Sequence, residues 1–120
     1  MIKKGFVTPE WIADNIDRFL CKLISFTAMD TSVIVRCFVH FGLYCKTIKN
    51  LGTEKHRDLL ISGAGCKQLG CYGLTELGHG SNVRGIETTA TYDPVTKEYV
   101  LHSPTKTSRK FWIGNLAKCA

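Results

Sequence analysis

Residues 75 to 82 read Thr-Glu-Leu-Gly-His-Gly-Ser-Asn, with two glycines two apart and a hydroxyl on either side. Glycine lacks a Cβ, so the backbone at Gly78 and Gly80 can take positive φ and present its N–H groups closely to a ligand. The Thr75 and Ser81 hydroxyls both donate and accept, which suits a ligand edge rich in oxygen and nitrogen. A second run, Lys110-Phe111-Trp112-Ile113-Gly114-Asn115, sets a flat indole beside another glycine. The first run alone would pass for a glycine-rich hairpin connection; the second turns the reading toward a ligand site. His79 could titrate there or only contribute a hydrogen bond, and the second role is the preferred one. Glu76 adjoins Thr75, but neighbouring strand residues point to opposite faces, so Glu76 faces away from whatever Thr75 meets.

The elements that must position these runs divide into a helical half and a strand-rich half. Thr8-Pro9-Glu10 supplies a hydroxyl N-cap, a proline at the first position and an acid in the first turn. Ile12, Ile16, Phe19, Leu20, Leu23 and Ile24 follow at helical spacing. Asp30 or Thr31 opens a second helix, apolar nearly all round from Val33 to Ile48, as in a helix buried inside a larger body. Gly52 is expected to end it as a left-handed C-cap. Thr53-Glu54 then starts a short helix through Leu60, and Ser62-Gly63-Ala64-Gly65 reads as a loop and boundary. Beyond it the period becomes two. Residues 69 to 74 alternate ahead of the glycine run, and Ile86 to Tyr92 form a strand. Asp93-Pro94-Val95-Thr96-Lys97 is a turn, Glu98 to His102 the returning strand, and Arg109 to Ile113 a further one. The fold class expected is α+β, with residues 1–65 helical and residues 66–120 opening an antiparallel β domain.

At 120 residues and 44% hydrophobic composition the chain has the size of one ordinary domain. Its net charge of +6 is spread from Lys3 to Lys118, without a stripe of basic and aromatic residues, so a nucleic-acid groove is unsupported. A modest basic excess also suits a partner bearing several phosphates. Cys21, Cys37, Cys45, Cys66, Cys71 and Cys119 contain no Cys-x-x-Cys pair, so no metal site is expected. In apolar stretches such thiols behave as small hydrophobes, and with no secretory leader at Met1 to Val7 they are read as reduced and intracellular. Arg36 and His40 interrupt the best apolar run, which excludes a membrane span.

The two runs together resemble the flavin-facing signature of the acyl-CoA oxidase family. Asn50-Leu51-Gly52-Thr53-Glu54-Lys55-His56-Arg57 resembles the helix junction ahead of that family's middle domain, and Gly70-Cys71-Tyr72-Gly73-Leu74-Thr75-Glu76 the strand entering its flavin loop. Arg84 to Pro94 continues the pattern. The likeness runs from about Asp30 to the end; Met1 to Met29 match loosely, and Leu59 to Leu69 depart where a lysine- and aromatic-bearing helix end is expected. The family's enzymes are several times longer, so the sequence reads as a fragment, a truncated isoform or an incomplete sequence.

The resemblance implies N-terminal helices followed by a β-barrel-like middle domain, FAD as cofactor, and oxidation of acyl-CoA to trans-2-enoyl-CoA with dioxygen reduced to hydrogen peroxide. It further implies a peroxisomal setting in fatty-acid β-oxidation and a homodimer, although Lys118-Cys119-Ala120 is not a Ser-Lys-Leu targeting signal. Its cofactor-binding residues carry over as Thr75, Ser81, Trp112 and Gly114. Thr75 holds the flavin edge, against a rival role of bonding local backbone. Ser81 bonds a phosphate or pantetheine oxygen, or caps the loop. Trp112 lies along the flavin plane, against a rival place in a strand core. Gly114 replaces the threonine or serine usual in the related acyl-CoA dehydrogenases and leaves open space. The family's catalytic base is a glutamate in its C-terminal helical region, so no residue here is assigned as catalytic, and the chain alone is expected to be inactive. The rival readings are an acyl-CoA dehydrogenase using a protein acceptor and a non-catalytic truncated form.

Overall fold

The computed structural model describes residues 30–116 and, ahead of them, Asp17, Leu20, Cys21, Ile24, Ser25 and Ala28. The expected first-helix start at Thr8, its positions Ile12, Ile16, Phe19 and Leu23, and Cys119 lie outside the described residues. Leu20 and Ile24 are helical and exposed. The described chain forms two compact units, one comprising residues up to Tyr72 together with Gly114 and its successors, the other Gly73–Ile113.

In the first unit Asp30 is the N-cap of α1 (Thr31–Cys37), its carboxylate accepting the Ser32 N–H at 2.8 Å. The helix runs on through a π-helical stretch, Phe38–Cys45, into α2 (Lys46–Leu51). Widening to i→i+5 bonding brings side chains five apart onto one side, and His40 and Cys45 are both buried there with their Nε2 and Sγ 4.0 Å apart. Gly52 is not left-handed as expected. It is extended, at φ −73° and ψ 162°, and its N–H bonds the Ile48 carbonyl at 2.8 Å. A Cβ there would lie 2.3 Å from that carbonyl oxygen, so close approach, not handedness, calls for glycine. Thr53 and His56 form a capping box around the 3-10 turn Glu54–His56. The next helix, α3 (Arg57–Ala64), outlasts the expected end at Leu60 and takes in most of the expected loop; Gly65 is its C-cap.

Phe41, Cys45 and Ala64 make the small core, with Cys37, Tyr44, Leu60 and Cys66 packed against it. His40 joins three segments of this unit. Its Nε2 lies 2.8 Å from the Gly63 carbonyl, and its Nδ1 accepts the Gly70 N–H at 3.2 Å. A carbonyl can only accept, so Nε2 carries the proton. Among the described residues, no helix is long and apolar enough to cross a membrane.

The second unit contains the hairpin of β1 (Thr89–Asp93) and β2 (Glu98–His102), paired antiparallel with Thr91 opposite Val100 and Tyr92 opposite Tyr99. The turn falls where the proline and polar residues placed it. Asp93 Oδ1 accepts the Val95 N–H at 2.8 Å, and Lys97 takes the left-handed position at φ 59°. Other strand expectations need correction. Val83–Gly85 is a 3-10 turn, so the strand begins at Thr89 and not at Ile86. The segments around Thr75 and Lys110 meet at a single bridge, Glu76 opposite Lys110, because Trp112 turns the chain out of line at φ 60°. The described strands are therefore one antiparallel pair and not a closed barrel: β1 and β2 pair only with each other, and every residue of β2 is exposed.

Candidate functional site

The glycine run is held by the chain on both sides of it. The Leu77 N–H bonds the Arg109 carbonyl at 2.8 Å, and the Gly78 N–H bonds the Thr107 carbonyl at 2.9 Å. Glu76 and His79 exchange backbone bonds of 3.1 Å, which closes the loop tightly. None of the described glycines adopts positive φ, contrary to the freedom expected of Gly78 and Gly80. Gly78 is needed for a different reason: a Cβ there would sit 2.8 Å from Thr107 Cβ. At Gly80 a Cβ would meet nothing within 4 Å, so that side of the loop is open.

Beneath the loop are two carboxylates whose part the sequence does not announce. Glu76 is 1% exposed. Its Oε2 accepts the Glu87 N–H at 2.9 Å, while Oε1 accepts the Thr88 N–H at 3.0 Å, the Thr88 hydroxyl, and the Lys110 ammonium at 3.2 Å. Desolvation pushes this carboxyl's pKa up, but the bonds from Thr88, Glu87 and Lys110 outweigh it and hold the value at about 2. Glu87 accepts from the Thr105 and Thr107 hydroxyls and faces His79 Nε2 at 2.9 Å. Those bonds, Thr105's first, then those of His79 and Thr107, lower its pKa as well. Both groups are carboxylates engaged with donors at neutral pH, hence poor proton acceptors. His79 serves as a hydrogen-bonding loop residue, the role preferred for it on sequence.

Of the four expected site residues, three fall in this unit. Thr75 is half-buried, and its carbonyl accepts the Phe111 N–H at 3.0 Å, which sets it beside the segment leading to Trp112. Among the described residues its hydroxyl has no partner, so the rival role of local backbone bonding is not what the side chain does. Ser81 is exposed, its hydroxyl likewise without a partner among the described residues, and its carbonyl accepts the Val83 N–H at 2.9 Å. The N–H groups of Gly80, Ser81 and Asn82 also have no partner there. Trp112 is 85% exposed and touches Phe111 edge-on, so it is not strand core. Its φ of 60° is costly for a bulky residue and points to a constraint other than packing. Gly114 belongs to the first unit, where a Cβ would meet Val39 methyls at 3.4 and 3.9 Å, an ordinary contact. The surroundings are not wide open there, yet crowding does not demand glycine.

The first unit also holds a cavity of about 170 Å³ lined by Arg36, Cys37, Phe41, Cys66, Leu69 and Asn115, with His40 and Gly70. Burial raises the pKa of Cys37 and Cys66, and burial followed by the neighbouring Cys66 carries Cys45 to about 11. These thiols pack as apolar groups. Among the described residues no group of three or more His, Cys, Asp or Glu could hold a metal.

No family model matches the chain. Acyl-coenzyme A oxidase 2, peroxisomal, from Arabidopsis thaliana is 36% identical over 119 residues, which is 98% of this chain and 17% of that protein. The solved structure of acyl-CoA oxidase 1 from Yarrowia lipolytica superposes with a TM-score of 0.77 at 31% identity, over 91% of this chain and 16% of its own. The chain belongs to the acyl-CoA oxidase family. Acyl-CoA oxidase-2 of Caenorhabditis elegans, solved bound with FAD, ascaroside-CoA and ATP, matches 97% of the chain and 20% of its own, at 30% identity and a TM-score of 0.64. The chain spans 12% to 17% of the length of the curated oxidases it matches.

Proposed function

We propose that this chain is part of a peroxisomal, FAD-dependent acyl-CoA oxidase, which converts acyl-CoA to trans-2-enoyl-CoA and reduces dioxygen to hydrogen peroxide in fatty-acid β-oxidation. The observation that carries the reading is the Thr75 hydroxyl beside a loop with three N–H groups, all four without partners among the described residues, in a segment so similar to these oxidases. That donor set fits the polar edge of an isoalloxazine, and the exposed Trp112 indole fits its plane. FAD, which the nematode oxidase binds, would supply the electron-pair acceptance; the protein supplies alignment. Thr75 holds the ring edge, Ser81 a phosphate or pantetheine oxygen, and Gly114 leaves the approach beside Val39 free of a side chain. Neither Glu76 nor Glu87 is free to take the α-proton, since the oxygens of both are already engaged with several donors, so the base comes from another part of the protein. Residues 1–65 belong to the helical domain and residues 66–120 open the middle β domain, whose hairpin is completed to a barrel-like sheet by strands from the rest of the protein. The full protein pairs as a homodimer. Exposed apolar side chains such as Leu51, Val95 and Leu101 suit burial against such neighbours.

The test is Thr75→Val in the full-length protein carrying this segment. It keeps shape and removes the hydroxyl, a loss of about 0.5–1.5 kcal/mol for a neutral bond, or up to roughly tenfold in FAD affinity. Ser62→Ala, whose hydroxyl has no partner among the described residues, is the control. Equal FAD affinity in both variants removes Thr75 from the site.

A further inference from the structure

We propose that Glu76 is a positioning residue for the cofactor: it does not touch the ligand but fixes Thr75 in the geometry that receives it. This rests on the flavin reading above and names what holds that site in place. Glu76 directly follows Thr75, and its carboxylate is buried beside the second run. One oxygen takes the Glu87 amide; the other takes Thr88 and Lys110. Lys110 also donates to the Leu74 carbonyl at 3.0 Å, on the other side of Thr75. Thr75 is thus fixed from Leu74 through Lys110, from Glu76 through its own carboxylate, and from the Phe111 amide at its carbonyl. Its side chain is the part left over, half-buried and with no hydroxyl partner among the described residues. The arrangement has the form of a site built on supported backbone, with one hydroxyl kept for a ligand.

A buried carboxylate with this many donors is not interchangeable with its amide. In Glu76→Gln one oxygen becomes an NH2 group, which must face either the backbone N–H of Glu87 or the cluster of Thr88 and Lys110. Donor then meets donor, and the segment bearing Thr75 shifts. In the full-length, FAD-loaded protein, Glu76→Gln should weaken FAD binding by about tenfold and change the visible circular dichroism of the bound flavin. The effect must pass through Thr75. In the Thr75→Val background, Glu76→Gln should therefore cost less than about twofold, since groups acting as one unit are non-additive. Thr88→Val, which removes a single hydroxyl donor, gives a milder variant in case the amide disturbs folding, and the same non-additivity is expected of it. If Glu76→Gln and Thr88→Val weaken FAD equally in both backgrounds, or leave affinity and flavin dichroism unchanged, Glu76 is only structural and the inference fails while the flavin reading stands. If Thr75→Val itself leaves FAD affinity unchanged, Thr75 is not in the site, and both its flavin contact and this inference fail.

Discussion

The ring of Tyr44 lies so close against Gly70 that a Cβ there would sit 2.3 Å from its nearest carbons. The helical stretch carrying Tyr44 and the segment after α3 approach at a distance only glycine permits, and the same glycine's N–H bonds His40. Gly70→Ala should therefore force ring or backbone to move. Overpacking of this kind costs about 1–3 kcal/mol. Chemical denaturation followed by circular dichroism should show a lower midpoint for Gly70→Ala, whereas Gly73→Ala, with nothing within 4 Å of its Cβ, should unfold like the parent.

His40→Ala removes the one side chain that serves both Gly63 and Gly70. The buried Gly70 N–H loses its partner, at a cost on the order of 1–3 kcal/mol, and the Gly63 carbonyl keeps the Cys66 N–H at 2.8 Å. His56→Ala loses only an exposed capping box, worth about 1 kcal/mol. Thermal denaturation of the two variants should rank them in that order; equal losses would show that His40 is not the clamp its two bonds describe.

The hairpin was legible because its cues are local: Asp93-Pro94 turns the chain, and β-branched and aromatic residues alternate on either side. The N-cap at Asp30 was legible for the same reason. The missed features depend on distant partners. Nothing near Glu76 in sequence announces Lys110 or Thr88, so its burial among donors was out of reach. Gly52 was identified as a helix end, but a left-handed cap and an extended one use the same residue, and the contact with the Ile48 carbonyl chose between them. Lys110-Phe111-Trp112 reads as strand by composition; the left-handed φ at Trp112 overrides that propensity.

Acid should loosen the second unit before neutral conditions do. Glu76 and Glu87 both titrate below the ordinary 4.5 when folded, Glu76 at about 2. A depressed carboxyl contributes stability that is fully present above its unfolded value and is lost as pH falls through the folded one. Denaturation midpoints of the Gly73–Ile113 unit should accordingly fall as pH drops from about 4.5 to about 2. Glu76→Gln should start lower and show a shallower dependence across that window. A parallel slope in parent and variant would mean that Glu76 is not the group responsible.

Trp112 separates binding from folding most directly. Its indole is 85% exposed, so removing it takes little packing from the unit. Its left-handed backbone costs an L-residue roughly 1–2 kcal/mol, which Trp112→Gly relieves. The added freedom of glycine in the unfolded chain offsets about 0.5–1 kcal/mol of that gain. Stability should therefore rise by no more than about 1.5 kcal/mol. FAD affinity in the full-length protein should move the other way, because a flat partner is lost; stacking of this kind is worth about 0.5–1.5 kcal/mol beyond area burial, or up to roughly tenfold. Trp112→Phe should recover part of the affinity through its smaller ring while keeping the backbone cost. Titration of the apoprotein with FAD, beside a denaturation curve for each variant, reads both quantities. Unchanged FAD affinity in Trp112→Gly would take the indole out of the site and leave its backbone geometry without a functional cause.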